Sequence, residues 1–145
     1  MGIKTNGQNN LRKIVAVTVV ILYAALVISR AAIVPLTMDE ATSYLVYVRW
    51  PVLDPGSFFH TWLHSKGNNH LLNTFLMLVT ELLTDKPYQE ILIRMPSLIS
   101  GILFAVVCGY LYCREKIGTT AYIMLAGNTY LLEFFALARG YGMGL

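Results

Sequence analysis

Charge is scarce in this chain. Asp, Glu, Lys and Arg make up 13% of its 145 residues, against 56% hydrophobic residues. That balance, with a positive mean hydropathy, leaves no room for a soluble domain of any size and places the chain in the membrane class. The net charge of +3 is small and scattered. No basic run is long enough to grip nucleic acid, so no nucleic-acid partner is expected. Cysteine is nearly absent. Cys108 and Cys113 are five apart in an apolar stretch, do not share a helix face, and have no Cys/His ladder of zinc spacing around them. They read as apolar filler. No internal repeat and no low-complexity stretch is visible. A phosphate-cradling glycine loop is also missing, because the glycines of Arg139-Gly140-Tyr141-Gly142-Met143-Gly144 do not follow a strand.

What is present is a set of apolar segments. The first runs from Ile14 to about Leu36, with Arg30 as its only charge, near the far end where its side chain can snorkel. Lys4, Arg12 and Lys13 before it, and Ser29-Arg30-Ala31 within it, loosely resemble a signal peptide. Its length instead favours an uncleaved transmembrane helix. The second, Leu71 to Leu83, is short for a span. Asn73, Thr80 and Thr84 share one helical face, which predicts an interfacial helix lying along the membrane. The third, Met95 to Cys113, and the fourth, Ile117 to Ala138, are each long enough to cross, although the fourth carries Asn128 and Glu133. Within the third, Ser97, Gly101, Ala105 and Gly109 recur every four residues, a stripe that lets a neighbouring helix approach closely.

Topology follows from charge. Lys4, Arg12 and Lys13 place the N-terminus in the cytoplasm. The first span then delivers Asp39 and Glu40 to the outer face, and residues 36–94 form an outer loop. The third segment returns inward, Arg114-Glu115-Lys116 forms a cytoplasmic turn, and the fourth brings Arg139 back out. The alternative makes 71–83 a full span and reverses everything after it. Segment length decides for the first arrangement, because Arg49, Lys66, Lys86 and Arg94 in the outer loop leave charge counting undecided.

Asp39 and Glu40 are the most informative residues. An ionisable pair at a membrane boundary is a functional-site candidate. The plainer reading is that they cap the helix that follows. In the expected topology the outer face also collects His60, His64, Lys66, Asn69, His70, Arg94 and Arg139. A carboxylate can act as general base on an acceptor hydroxyl. Arginines can hold and neutralise a leaving phosphate. A phosphate carried on a lipid would arrive at this depth.

Four pieces together resemble a known family. An acidic pair follows the first span, Met38-Asp39-Glu40. A loop leads into an apolar helix, Gly67-Asn68-Asn69-His70-Leu71-Leu72-Asn73. An Arg-x-Pro motif, Ile93-Arg94-Met95-Pro96-Ser97, opens the next span, and Ala138-Arg139-Gly140-Tyr141 ends a later one. In their order and spacing these resemble the N-terminal part of the GT-C glycosyltransferases, in particular the dolichyl-phosphate-mannose protein mannosyltransferases and the bacterial aminoarabinose transferases. The resemblance covers nearly all of residues 1–145. It implies an all-α integral membrane fold: a multi-span helical bundle with interfacial helices in the first outer loop. It implies a multi-pass protein of the plasma (inner) membrane, with its active site on the outer face. The expected reaction is inverting sugar transfer from a polyprenyl-phosphate donor to a lipid, glycan or protein acceptor. Asp39 would be the base and Glu40 would orient Asp39 or the acceptor. Asn69, His70, Arg94, Arg139 and Tyr141 would bind substrate, the two arginines at the donor phosphate.

The chain departs from that family in places. Many relatives have Lys or His followed by two prolines in the outer loop, where this chain has Asn69-His70-Leu71-Leu72. No cofactor follows from the sequence. A divalent metal is a candidate through His60 and His64, four apart, but two ligands without a third make a poor site. Glu133 is expected to pair with Arg139 or with a polar group on a neighbouring helix. Trp50, Phe58, Phe59 and Trp62 read as an interfacial aromatic belt. Family members are much longer, so the chain reads as a fragment with little activity by itself. Two rival readings stand beside the enzyme: a non-enzymatic membrane subunit docking through the small-residue stripe, and part of a transporter in which Glu133 relays protons.

Overall fold

The computed structural model describes residues 6–50, 54, 56, 71–84 and 89–138. Every regular element among them is helical: α1 (Asn6–Ile33), α2 (Met38–Tyr44), a π-helical turn (Leu45–Arg49), α3 (Leu71–Leu83), α4 (Glu90–Cys113), α5 (Thr119–Ala126) and α6 (Thr129–Ala136). Two of them, α1 and α4, are long and apolar enough to cross a membrane. At 1.5 Å per residue they run about 42 and 36 Å, more than the roughly 30 Å of a hydrocarbon core. The thirteen residues of α3 reach only about 20 Å, shorter than that thickness.

α1 and α4 form an antiparallel hairpin. Arg12 near the start of α1 donates to the Tyr112 carbonyl at the end of α4, while Arg94 near the start of α4 donates to Ala31 and Val34 at the end of α1. The small-residue stripe makes the close approach. Ser97, Gly101, Ala105 and Gly109 are all buried. A Cβ on Gly109 would lie 3.3 Å from Val20 and 3.7 Å from Ala16 of α1. Gly101 instead receives α6: a Cβ there would sit 2.7 Å from Cβ of Phe135. The stripe therefore packs within the chain, against α1, α5 and α6.

Both long helices begin earlier than their apolar runs suggest, α1 at Asn6 and α4 at Glu90. Polar first turns extend a helix beyond its apolar core at little cost. α1 stops where Pro35 disfavours helical geometry for Val34. α4 ends in a Schellman motif: Lys116 N–H donates to Leu111 and Glu115 N–H to Tyr112. Glu115 occupies the left-handed position, with φ 59°.

The fourth apolar segment is not one helix. Residues 117–138, expected as a continuous span, fold as two eight-residue helices, α5 and α6, interrupted at Gly127 and Asn128. Asn128 is the physical cause. Its side chain accepts from the N–H groups of Tyr130 and Leu131 and caps a new helix. The broken segment still traverses the hairpin. Tyr122 stacks on Tyr112 at one end and donates to the Ala16 carbonyl, while Ala138 N–H reaches Glu40 at the other. Between them Glu133 of α6 pairs with Arg30 of α1, a polar group on a neighbouring helix as expected.

The contact at Gly101 yields a stability prediction. Gly101→Ala forces Phe135 to shift and should cost about 1–3 kcal/mol, the usual penalty of overpacking. Gly7→Ala in α1, with nothing within 4 Å, should be neutral or slightly stabilising. Thermal unfolding of both variants in detergent, followed by circular dichroism, separates the two.

Candidate functional site

The site begins with the turn after α1. Thr37 has extended backbone and caps α2; its hydroxyl accepts from Glu40 N–H, while Glu40 Oε2 accepts from Thr37 N–H at 2.9 Å. This reciprocal capping box fixes the rotation of α2. Adjacent helical positions are about 100° apart, so Asp39 and Glu40 cannot face the same way. Glu40 points inward and is fully buried, whereas Asp39 is exposed.

Arg94 meets Glu40 from the second turn of α4. Its Nε and Nη2 each lie 2.8 Å from a Glu40 carboxylate oxygen. Nη1 donates to the carbonyls of Ala31 and Val34 at 2.6 Å each, and Nη2 also to Pro35 at 3.1 Å. A guanidinium has five N–H donors, and all five are used. Two of the accepting carbonyls belong to the last turn of α1 and the residue after it, which have no intrahelical partner. The positive charge also suits that helix end. Neither side chain has any exposure.

The remaining acceptor capacity of Glu40 goes to the chain's far end. Its Oε1 takes the Ala138 N–H at 2.6 Å, and Asn73 of α3 donates to the Ala138 carbonyl at 2.9 Å. Both polar groups of one peptide residue are thus held. Burial pushes the Glu40 carboxyl up. Hydrogen bonds from Arg94 and from the Ala138 and Thr37 backbone, with the Arg94 charge, outweigh it and hold the carboxyl below its ordinary value.

A second set of contacts ties α3 to the end of α2 and to the turn that follows it. Glu81 accepts from Tyr44 Oη and from Arg49 Nη1, both at 2.8 Å. The π-helical turn that carries Arg49 directly follows Tyr44, the last residue of α2. Glu81, Tyr44, Arg49 and Asn73 were not among the expected site residues. The sequence signal was a polar group at Glu81 and another at Asn73 in an otherwise apolar helix. Their partners are distant in sequence, so the pairing was not legible there.

This geometry revises two expected roles. Arg94 has no donor left for a donor phosphate; its charge is spent on Glu40 and on the end of α1. Glu40 orients α2, and through it Asp39, but is closed to an acceptor. The helix-capping reading of the acidic pair holds for Glu40. Asn69, His70, Arg139 and Tyr141, like His60, His64 and Lys66, lie outside the described residues. Among the described residues no group of three His, Cys, Asp or Glu side chains could hold a metal ion. No family model, no curated protein and no solved structure matches the chain.

Removing one partner of a buried pair strands the other charge, so Arg94→Met and Glu40→Gln should each lower stability by about 3–5 kcal/mol. The double variant Glu40→Gln with Arg94→Met should lose clearly less than their sum. Because the folded Glu40 carboxyl titrates below its unfolded value, its stabilisation is complete above the ordinary glutamate range, about pH 4.3. It disappears as pH falls through the lowered folded value. Denaturation in detergent as a function of pH should therefore show an acid-side loss that is blunted in Glu40→Gln.

Proposed function

We propose that the protein is a membrane glycosyltransferase. It transfers a sugar from a polyprenyl-phosphate donor to an acceptor hydroxyl on the extracytoplasmic side, with inversion. The observation that carries this reading is the division of the acidic pair. Glu40 is buried and fully hydrogen-bonded, and it fixes the helix that presents Asp39 at the surface, beside the ends of α1 and α4.

The Asp39 carboxylate takes the proton of the acceptor hydroxyl as its oxygen attacks the anomeric carbon. The bond from that carbon to the phosphate oxygen breaks, and the electron pair leaves on the polyprenyl phosphate. Charge develops on the leaving phosphate and calls for a cation. With the donors of Arg94 engaged, that role falls in this proposal to Arg139, with Tyr141, Asn69 and His70 as further substrate-binding positions. The protein would be multi-pass and sit in the plasma (inner) membrane, with a lipid, glycan or protein acceptor.

Two observations weigh against the rival readings. The stripe on which a docking subunit would rely is covered by α1 and α6. Glu133, the carboxylate a transporter would use, is ion-paired with Arg30.

Asp39→Asn, introduced in the source cells, should reduce transfer from polyprenyl-phosphate sugars in isolated membranes by about 10²-fold or more, the usual worth of a general base. Protein abundance should be unchanged. Transfer that survives the substitution at equal abundance removes Asp39 from this role. Sidedness gives an independent check. In a cysteine-free background, a cysteine at Met38, which is 83% exposed, should react with an impermeant maleimide from one side of sealed vesicles. A cysteine at Lys116 should react only from the other.

A further inference from the structure

The opposite end of the α1–α4 hairpin carries a concavity that plays no part in the transfer reading. Ala16 and Gly109 form its floor, where small side chains bring the helices together. Val17 and Ile21 of α1 and Val106 of α4 form its walls. Lys13, Arg114 and Glu115 line the same groove, whose volume is about 970 Å³. The walls are exposed: Ile21 is 62% and Val106 48% accessible.

Charge at this end is strongly one-sided. Arg12, Lys13, Arg114 and Lys116 face a single carboxylate, Glu115, an excess of three. Arg12 is engaged, lying 3.7 Å from Glu115 and donating to the Tyr112 carbonyl. Arg114 lies over the Tyr110 ring at 5.4 Å, which orients the guanidinium without neutralising it. Among the described residues no carboxylate pairs with Lys13 or Arg114. Lys13 stands one residue before the apolar run of α1, the depth at which basic side chains meet lipid headgroups. From Lys13 to Ile21 the groove runs about 12 Å along the helix, from that depth into the apolar layer.

We propose that this groove binds one anionic phospholipid. The phosphate sits between Lys13 and Arg114, and one acyl chain lies along Val17, Ile21 and Val106. A zwitterionic lipid would bring a quaternary ammonium against the same cations and bind more weakly. A soluble phosphate would leave the aliphatic walls unused. The proposal rests on α1 and α4 crossing a bilayer and is independent of the transfer reaction.

The test is native mass spectrometry of the full chain in mild detergent, with equal amounts of phosphatidylglycerol and phosphatidylcholine. One phosphatidylglycerol should be retained in clear preference. Each basic side chain near an anionic headgroup contributes about fivefold in affinity, so Lys13→Gln with Arg114→Gln should lower phosphatidylglycerol retention by roughly 30-fold. Val106→Trp or Ile21→Trp should lower it with both charges intact. These side chains are exposed, and circular dichroism checks that each variant is folded. Equal retention of the two lipids overturns the proposal, as does undiminished phosphatidylglycerol binding by the double variant. Displacement by soluble glycerophosphoglycerol at the concentration at which whole lipid displaces overturns the acyl-chain assignment and leaves a free-anion site.

Discussion

The arrangement of this protein depends on a buried ion pair. Arg94 and Glu40 have no exposure to solvent, and a pair so placed is tolerable only if its remaining donors and acceptors are also satisfied. Here they are: three carbonyls near the end of α1, the Thr37 and Ala138 N–H groups and the two charges complete each other. Four parts of the chain, the end of α1, α2, α4 and the segment after α6, converge because these two side chains require partners from all of them. Loosening any one part would leave a buried charge short of a hydrogen bond, which costs far more than an exposed pair contributes.

That constraint explains why neighbouring carboxylates have different fates. Asp39 and Glu40 are chemically similar and adjacent, yet the capping box sets the phase of α2 so that only Glu40 turns inward. The pair is therefore a structural carboxylate holding the helix that exposes a second one. The two ends of the hairpin differ in the same physical terms. At the Glu40 end the charges are neutralised inside the protein. At the Lys13 end they outnumber their partners and sit at the mouth of an apolar groove.

Much of this was legible in the sequence. α1 and α4 follow from long, nearly uncharged runs. The thirteen residues of α3 match the apolar run from Leu71 to Leu83. The every-fourth-residue stripe of Ser97, Gly101, Ala105 and Gly109 predicts close helix packing, and the structure puts α1 and α6 on it. The break at Gly127 and Asn128 also had a local signal, a glycine beside a strong helix-capping residue, but the continuous hydropathy of 117–138 masks it. Hydropathy averages over a window and does not register where backbone hydrogen bonding is interrupted.

The sequence by itself determined the class of the molecule, its long helices and the turn that presents the acidic pair, because apolar runs, proline and capping residues act locally. Only the tertiary structure decided which charges are spent. Arg94 reads as an available cation until Glu40, 54 residues earlier, is folded against it. Glu81 reads as an isolated polar residue until Arg49 and Tyr44 reach it. Pairing between distant residues is set by how the helices pack, and hydrogen-bond capacity once used inside the protein is closed to a ligand.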